Sequence, residues 1–425
     1  MHETDIGTPV NRSCCELTGT KSAVSEKPTR SGTRPRGKRV CMITHSFYES
    51  DNRVLRYAET LAQRGDSVDV VALRRSPELA REEAINGVTV FRLQDRFHKH
   101  HQSSSSYLWP LLRFLMVSSW WLTRRHQRQP YDLVHVHNIP DFLVFAAWYP
   151  KLRGAKIILD IHDIVPEFFG SKFKASEKSL LVWGLRTLEK WSAAFANHVI
   201  LANHLWLEKY TSRSAPRAKC SVFINHVDSS IFQPRPAAGR NGRPVILFPG
   251  GLQWHQGVDI ALEAFAKLRT RLPQAEFHIY GEGNEKPRLM NLAGRLGLNG
   301  NVQFFPPRSL REIAAVMADA DLGVVPKRAD SFGNEAYSTK IMEFMSVGVP
   351  VVVASTKIDR YYFNESVVRF FASGNADALA EGMVELLTNA ELRTGLATRA
   401  SEYAAVHSWE NAKHDYLRLV DGLSA

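Results

Sequence analysis

The stretch from Asp321 to Ser355, DLGVVPKRADSFGNEAYSTKIMEFMSVGVPVVVAS, holds the residues best suited to chemistry. Its pattern gives a strand ending at Val325, a polar loop with Lys327, Arg328 and Gly333, and a helix from about Ser338. Gly348-Val349-Pro350 then leads into another strand. Ser338 and Thr339 place hydroxyls at the helix start, where first-turn N–H groups lack intrahelical partners. Such a start binds anions and suits a diphosphate. Glu343 follows Thr339 by four residues, or about 6 Å along the axis. A ribose joined to a phosphate at the helix start would come within reach of that carboxylate. Glu335 lies eight residues before Glu343, in the loop, from where it could reach the opposite end of such a ligand. The plain alternative is a solvated helix charge and a loop charge, since this spacing also arises by chance. The preceding strand, the hydroxyls and the glycine-proline exit together favour the ligand.

The elements that must position these residues alternate along the chain. Strands are read at Arg39–Thr44, Val68–Leu73, Val88–Leu93, Asp132–His137, Lys156–Ile161, His198–Ala202 and Ser221–Ile224, with amphipathic helices between them. After a Pro- and Gly-containing stretch the rhythm restarts. Its strands are Val245–Phe248, Glu276–Tyr280, Val302–Phe305, Leu322–Val325, Val349–Val353 and Arg369–Phe371, and a helix is read at Val258–Leu272. Strand-helix-strand repetition implies parallel sheets covered on both faces. The expected fold is α/β, with two doubly wound Rossmann-like domains facing a central cleft. Residues 1–38 read as a disordered basic tail, 39–227 as the N-terminal domain and 228–243 as a linker. Residues 244–405 read as the C-terminal domain, and 406–425 as a helix packing back on the first domain. Open sheets of this kind bind ligands at the carboxyl ends of their strands.

Composition narrows the function. The chain has 425 residues, 44% hydrophobic and 23% charged, which excludes disorder throughout. Its net charge is +11. Most of the excess sits in residues 1–39 and 92–130, which does not fit a groove lined for nucleic acid. Cys14, Cys15, Cys41 and Cys220 form no CxxC pair, so neither a zinc site nor a disulfide framework is read. That usage fits a reducing cytoplasm, and residues 1–38 contain no signal-peptide core. Tyr107–Leu122, YLWPLLRFLMVSSWWL, is flanked by Arg96, Lys99, Arg124, Arg125 and Arg128 and interrupted by Arg113. It is too short to span a bilayer, which needs about 20 apolar residues. Trp and Leu beside clustered cations suit the interface of an anionic leaflet. The expectation is peripheral contact through 107–128 on the cytoplasmic membrane face; the alternative is a buried helix with solvated basic ends.

Glu335 to Glu343, followed by Phe344-Met345-Ser346-Val347-Gly348-Val349-Pro350-Val351-Val352, resembles the Glu-x7-Glu signature of retaining family 4 (group 1) glycosyltransferases of the GT-B fold. Phe248-Pro249-Gly250-Gly251-Leu252, Gly257-Val258-Asp259 and Tyr280-Gly281-Glu282-Gly283 resemble the family's nucleotide-side loops. Asn225-His226-Val227-Asp228 and Asp160-Ile161-His162-Asp163 fit its N-terminal half. The resemblance implies that Glu335 holds donor-sugar hydroxyls, Glu343 the ribose, and Ser338, Thr339 and Lys340 the diphosphate. Gly250, Gly251, Gln256, Gly281 and Lys327 would line the donor site, with Phe305–Arg308 near the base. His162 would approach the transferred sugar from across the cleft. The substrates implied are a nucleotide-sugar donor, bound by the 244–405 domain, and a saccharide or lipid-linked acceptor, bound by the 39–227 domain, as in surface polysaccharide or glycoconjugate synthesis. No cofactor or divalent metal is expected. A nucleotide-sugar epimerase or hydrolase of the same fold, or a non-catalytic nucleotide-binding protein, are the rival readings.

Two departures stand out. Gly251 and Gln256 take the places where the family commonly has an arginine and a lysine against the diphosphate, with His255 between them and Trp254 beside them. Lys340 is the best-placed replacement, ahead of Lys327 and Arg328. The glycine pair common after the first strand is replaced by Ser46-Phe47-Tyr48-Glu49.

Overall fold

A strand buried on both faces of a parallel sheet must be apolar along its length. The first strand, β1 (Arg39–Thr44), buries every residue after Arg39. The computed structural model describes residues 37–95, 104–167, 179–235 and 243–423. Residues 1–36 of the expected tail, with Cys14 and Cys15, Arg96, Lys99 and the middle of the expected linker lie outside the described residues. After β1 come α1 (Asn52–Arg64), β2 (Ser67–Arg74), β3 (Glu82–Ile85), β4 (Val88–Asp95) and α2 (Ser104–Arg128). Next are β5 (Leu133–His137), α3 (Trp148–Leu152), β6 (Lys156–Ile161), α4 (Leu180–Phe195), β7 (His198–Leu201), α5 (His204–Thr211) and β8 (Cys220–Val222). These strands form one sheet in the order β3-β4-β2-β1-β5-β6-β7-β8, parallel throughout except for the β3-β4 pair.

The second half repeats the scheme. It contains β9 (Val245–Pro249), α6 (Val258–Leu268), β10 (Glu276–Tyr280), α7 (Lys286–Arg295), β11 (Val302–Phe305), α8 (Leu310–Ala318), β12 (Leu322–Val325) and α9 (Thr339–Ser346). It continues with β13 (Val351–Ala354), α10 (Lys357–Tyr362), β14 (Arg369–Phe371), α11 (Ala376–Thr388), α12 (Ala390–Val406) and α13 (Trp409–Leu423). The sheet order β11-β10-β9-β12-β13-β14 reverses direction between β9 and β12, and this switch point opens a crevice at the strand ends. Both halves are therefore doubly wound and Rossmann-like, the GT-B arrangement.

Several strand ends shift by one or two residues from the sequence reading, and three larger differences have a physical reason. The β3-β4 hairpin was not read, because Glu82-Glu83-Ala84-Ile85 is mostly exposed and lacks an apolar face. The helix from Val258 stops at Leu268, ahead of Pro273. The strand after α9 starts at Val351, because Gly348 adopts φ +76° and Pro350 supplies no N–H.

The last helix returns to the first half. Trp409, Tyr416 and Val420 of α13 are buried with Val40, Val54, Tyr57 and Leu61. Each large apolar side chain so buried contributes about 1.5–3 kcal/mol. Trp409 Nε1 donates to Thr60 Oγ1 at 2.9 Å, and Tyr416 Oη lies 3.0 Å from His135 Nδ1. The two stretches that cross between the halves lie side by side. The Trp409 N–H donates to the Val227 carbonyl at 2.9 Å, and His226 Nδ1 donates to the His407 carbonyl at 2.7 Å.

Candidate active site

β9 runs into Gly250 at the switch point, and Lys340 from the first turn of α9 crosses above it. Gly250 has φ +142°, and a Cβ there would stand 2.4 Å from Lys340 Cε. At the end of β10, a Cβ on Gly281 would stand 1.8 Å from the Gly250 carbonyl oxygen. Gly250 thus leaves room for this lysine over the strand end, and Gly281 lets the two strand ends approach. Its Nζ donates to Gln256 Oε1 at 3.1 Å and sits 5.6 Å from the Phe248 ring centroid. Burial lowers the Lys340 ammonium to about 8, with Lys327 adding to the shift and Glu343 opposing it. Ser338 is the N-cap of α9, yet its side chain makes no capping bond, so the first turn keeps unmatched donors. One turn on, burial raises Glu343, while Lys340, the Thr339 hydroxyl and Arg56 of α1 pull it back. The structure thus brings together Gly250, Gly281, Gln256, Ser338, Thr339, Lys340 and Glu343. Gly251 adjoins them; a Cβ on it would stand 2.3 Å from Gln253 Oε1.

Two neighbouring cations are already engaged. Lys327 is buried, 2.9 Å from Asp359 Oδ2, and donates to the Ala336 carbonyl at 2.8 Å. Arg328 makes two bonds to Asp259, at 2.9 and 2.8 Å, and lies over the Trp254 ring. Both clamp the loop that precedes α9. Arg308 lies beyond β11 on the sheet edge, exposed and 4.0 Å from Glu312.

Glu335 meets the other half of the molecule. Lys209 Nζ, on α5, donates to both of its carboxylate oxygens at 2.6 and 2.8 Å. Asn203 Nδ2 donates to the Glu335 carbonyl at 3.0 Å. Sequence reasoning missed Lys209, a single lysine on a short helix with no motif around it.

His162 follows β6 and is held by its surroundings. Its N–H donates to Asn138 Oδ1 at 2.7 Å, and its Nε2 lies 3.2 Å from both Asp160 Oδ2 and His137 Nδ1. Arg53 donates to both oxygens of the buried Asp160 at 2.8 and 2.7 Å. Burial alone would raise the Asp160 carboxyl, but Arg53 and His162 hold it well below the usual carboxylate range. Burial pushes His135 and His137 down, toward neutral imidazoles. His135, His137 and Asp160 are close enough to form a metal-ligand set, with ligand atoms within 4.8 Å. The Arg53 guanidinium, however, already neutralises the one carboxylate of that set. Asp163 beside His162 is raised by burial to about 6. In the Ser46–Glu49 loop Tyr48 is buried, and Glu49 accepts from the buried Arg92 Nε at 2.9 Å.

Residues 231–403 match the family model for glycosyl transferases group 1, and residues 50–226 match the glycosyl transferase 4-like domain. The chain belongs to the group 1 glycosyl transferases. This group 1 chain is 33% identical over 208 residues to a D-inositol 3-phosphate glycosyltransferase of Mycobacterium marinum, covering 46% of the chain and 44% of the relative. A protein of the same name from Corynebacterium urealyticum is 30% identical over 187 residues, covering 42% and 43%. The group 1 chain therefore spans less than half the length of these relatives. Among solved structures, sucrose-phosphate synthase from Thermosynechococcus elongatus superposes with a TM-score of 0.71 at 18% identity, covering 91% of this chain and 99% of that one. HepE of Anabaena, in complex with UDP and glucose, gives 0.69 at 17% identity, covering 91% and 100%. A further structure of HepE holds UDP-glucose. At these identities the likeness speaks for the fold. No helix among the described residues is long and apolar enough to cross a membrane.

Proposed function

We propose that this chain transfers a sugar from a nucleoside-diphosphate sugar to a saccharide or lipid-linked acceptor, with retention, in surface polysaccharide or glycoconjugate synthesis. One observation carries the reading: a half-buried Lys340 above Gly250, at an uncapped helix start, one turn from Glu343. A diphosphate fits the first two and its ribose the third. The leaving diphosphate gains negative charge as the glycosidic bond breaks, and oriented N–H groups with a desolvated ammonium stabilise it there. That supply of positive charge is why the reading needs neither a divalent ion nor a cofactor. Glu335 takes the donor-sugar hydroxyls, and His162, anchored by Asp160, reaches the transferred sugar. Retention rests on the Glu-x7-Glu resemblance. The test is product analysis with a panel of nucleotide sugars, with and without saccharide acceptors. Turnover that ignores the acceptor would replace transfer by hydrolysis or epimerisation.

The acceptor's lipid tail suits the outer surface of the first half, where an anionic cytoplasmic leaflet is the proposed partner. In α2, Phe114, Ser118 and Leu122 face the core, while Trp109, Met116 and Trp120 are exposed. The helix is thus both a core element and an apolar surface. Arg124 lies over the Trp120 ring at 4.4 Å, and Trp148 Nε1 donates to Ser119 Oγ at 3.0 Å. Trp183 and Trp191 of α4 are also exposed. Indole rings beside cations favour the headgroup region.

A further inference from the structure

Lys209 belongs to the half opposite the donor loops, yet its ammonium holds both oxygens of Glu335. We propose that Lys209 is a positioning residue for the donor sugar: it orients the Glu335 carboxylate, so recognition of the sugar depends on a direct hydrogen bond from the first half that recognition of the nucleotide does without. The inference rests on the donor reading of Glu335 given above.

Glu335 needs such a partner. It stands in the turns before α9, where its N–H donates to the Phe332 carbonyl at 3.0 Å, and no regular element fixes its side chain. The other half fixes it twice. Asn203 is fully buried, caps α5 by accepting from the Trp206 N–H at 2.9 Å, and holds the Glu335 carbonyl with its Nδ2. Beside it, the His204 N–H donates to Tyr362 Oη at 2.9 Å, so the start of α5 is seated on the second half.

Lys209 is itself anchored. Glu167 Oε1 lies 3.9 Å from its Nζ, and Arg213 donates to both oxygens of Glu167 at 2.6 and 2.9 Å. Arg213 in turn bonds the fully buried Glu189 at 2.9 and 2.8 Å. The chain Glu189, Arg213, Glu167, Lys209 therefore transmits the rigidity of the first half's core to a carboxylate in the second. The pairing does not close Glu335 to a sugar. A carboxylate has roughly four lone-pair sites, and Lys209 uses one on each oxygen, leaving one on each for two neighbouring hydroxyls. Those hydroxyls then meet acceptors that are already aimed.

UDP and UDP-glucose, differing only by the sugar, separate this role from a structural one, with GDP and GDP-mannose as a second pair. Lys209→Met should weaken UDP-glucose binding about tenfold or more, the worth of a bond to a charged group, and leave UDP binding unchanged. Lys209→Arg should restore much of the loss. Glu167→Gln, which loosens Lys209 without touching Glu335, should shift the same ratio in the same direction by less, and it serves if the Met variant does not fold. Equal weakening of UDP and UDP-glucose would make Lys209 structural and overturn the proposal. An unchanged UDP-glucose affinity would make the ion pair incidental. Glu335→Gln is the control: if it too leaves the sugar-to-nucleotide ratio unchanged, the donor role of Glu335 fails and the inference with it. Wild-type protein that binds neither pair would remove the donor reading itself.

Discussion

The Lys340 ammonium donates to the Gln256 side-chain oxygen at 3.1 Å, so a half-buried positive charge above Gly250 is held by a neutral amide. Where the family commonly has a lysine, this chain has that amide, and the cation enters from the helix instead. Replacing Lys340 by Met should weaken UDP binding by about 1.5–3 kcal/mol, roughly ten- to a hundredfold or more, and barely affect uridine. Titration calorimetry with both ligands checks this, and equal losses would show a structural role.

The same lysine sets a pH dependence. Burial brings it to about 8 in the free protein, and a bound diphosphate favours its charged form and raises it again. Binding above about pH 8 must therefore take up protons, and UDP affinity should fall by up to about tenfold per pH unit there. Calorimetry in buffers of different ionisation enthalpy measures the uptake. A Lys340→Met protein should show none.

The two glutamates should separate kinetically. Glu335→Gln should lower kcat strongly, because its contacts to the sugar tighten as the glycosidic bond breaks. Glu343→Ala should mainly raise KM for the donor, by removing the ribose contacts. Steady-state rates of the two variants decide it, and wild-type turnover in Glu335→Gln would sink the assignment.

Arg53→Met should leave the buried Asp160 carboxylate without its guanidinium partner, with only imidazoles beside it. Breaking a buried pair in this way costs about 3–5 kcal/mol, so the unfolding midpoint should drop clearly. The loss should be partly recovered in an Arg53→Met/Asp160→Asn double variant, because the orphaned charge is then gone. Thermal unfolding of the three proteins provides the comparison.

Membrane contact is checked by co-sedimentation with anionic and neutral vesicles. Wild type should bind the anionic ones at low salt, and Trp120→Ser/Arg124→Gln should bind less. Those residues lie on the outer face of α2, so the core packing of Phe114 and Leu122 is spared. Failure of the wild type to bind, or equal binding by the variant, would leave α2 as a core helix with an exposed apolar face.

What could be read from sequence follows from how local each feature is. β1, β6, β10, β11, β12 and β14 were legible to the residue, because buried parallel strands are apolar runs with polar ends. The β3-β4 hairpin was overlooked, although Asn86-Gly87, with φ values of 49° and 83°, is a turn the sequence does announce. Ser338, Thr339, Lys340 and Glu343 share one helix, so their spacing fixes their geometry. Lys209 with Glu335, and Arg53 with Asp160, are 126 and 107 residues apart, and no spacing rule reaches that far. Lys327 and Arg328 show the converse. Sequence displays two cations near the site, while their engagement by Asp359 and Asp259 comes only from the fold.

The chain passes between its halves twice, and the bonds from Trp409 to Val227 and from His226 to His407 tie the two passages together. A single tether would allow the halves to swivel freely. Two tethers pinned at one place, like a door hinge, would restrict any movement between the halves to a swing about that seam. The pinning also bears on proteolysis. A cut between β8 and β9 would leave the halves joined through the second passage, with α13 still buried against α1. The nicked protein would travel as one particle and come apart only under denaturing conditions.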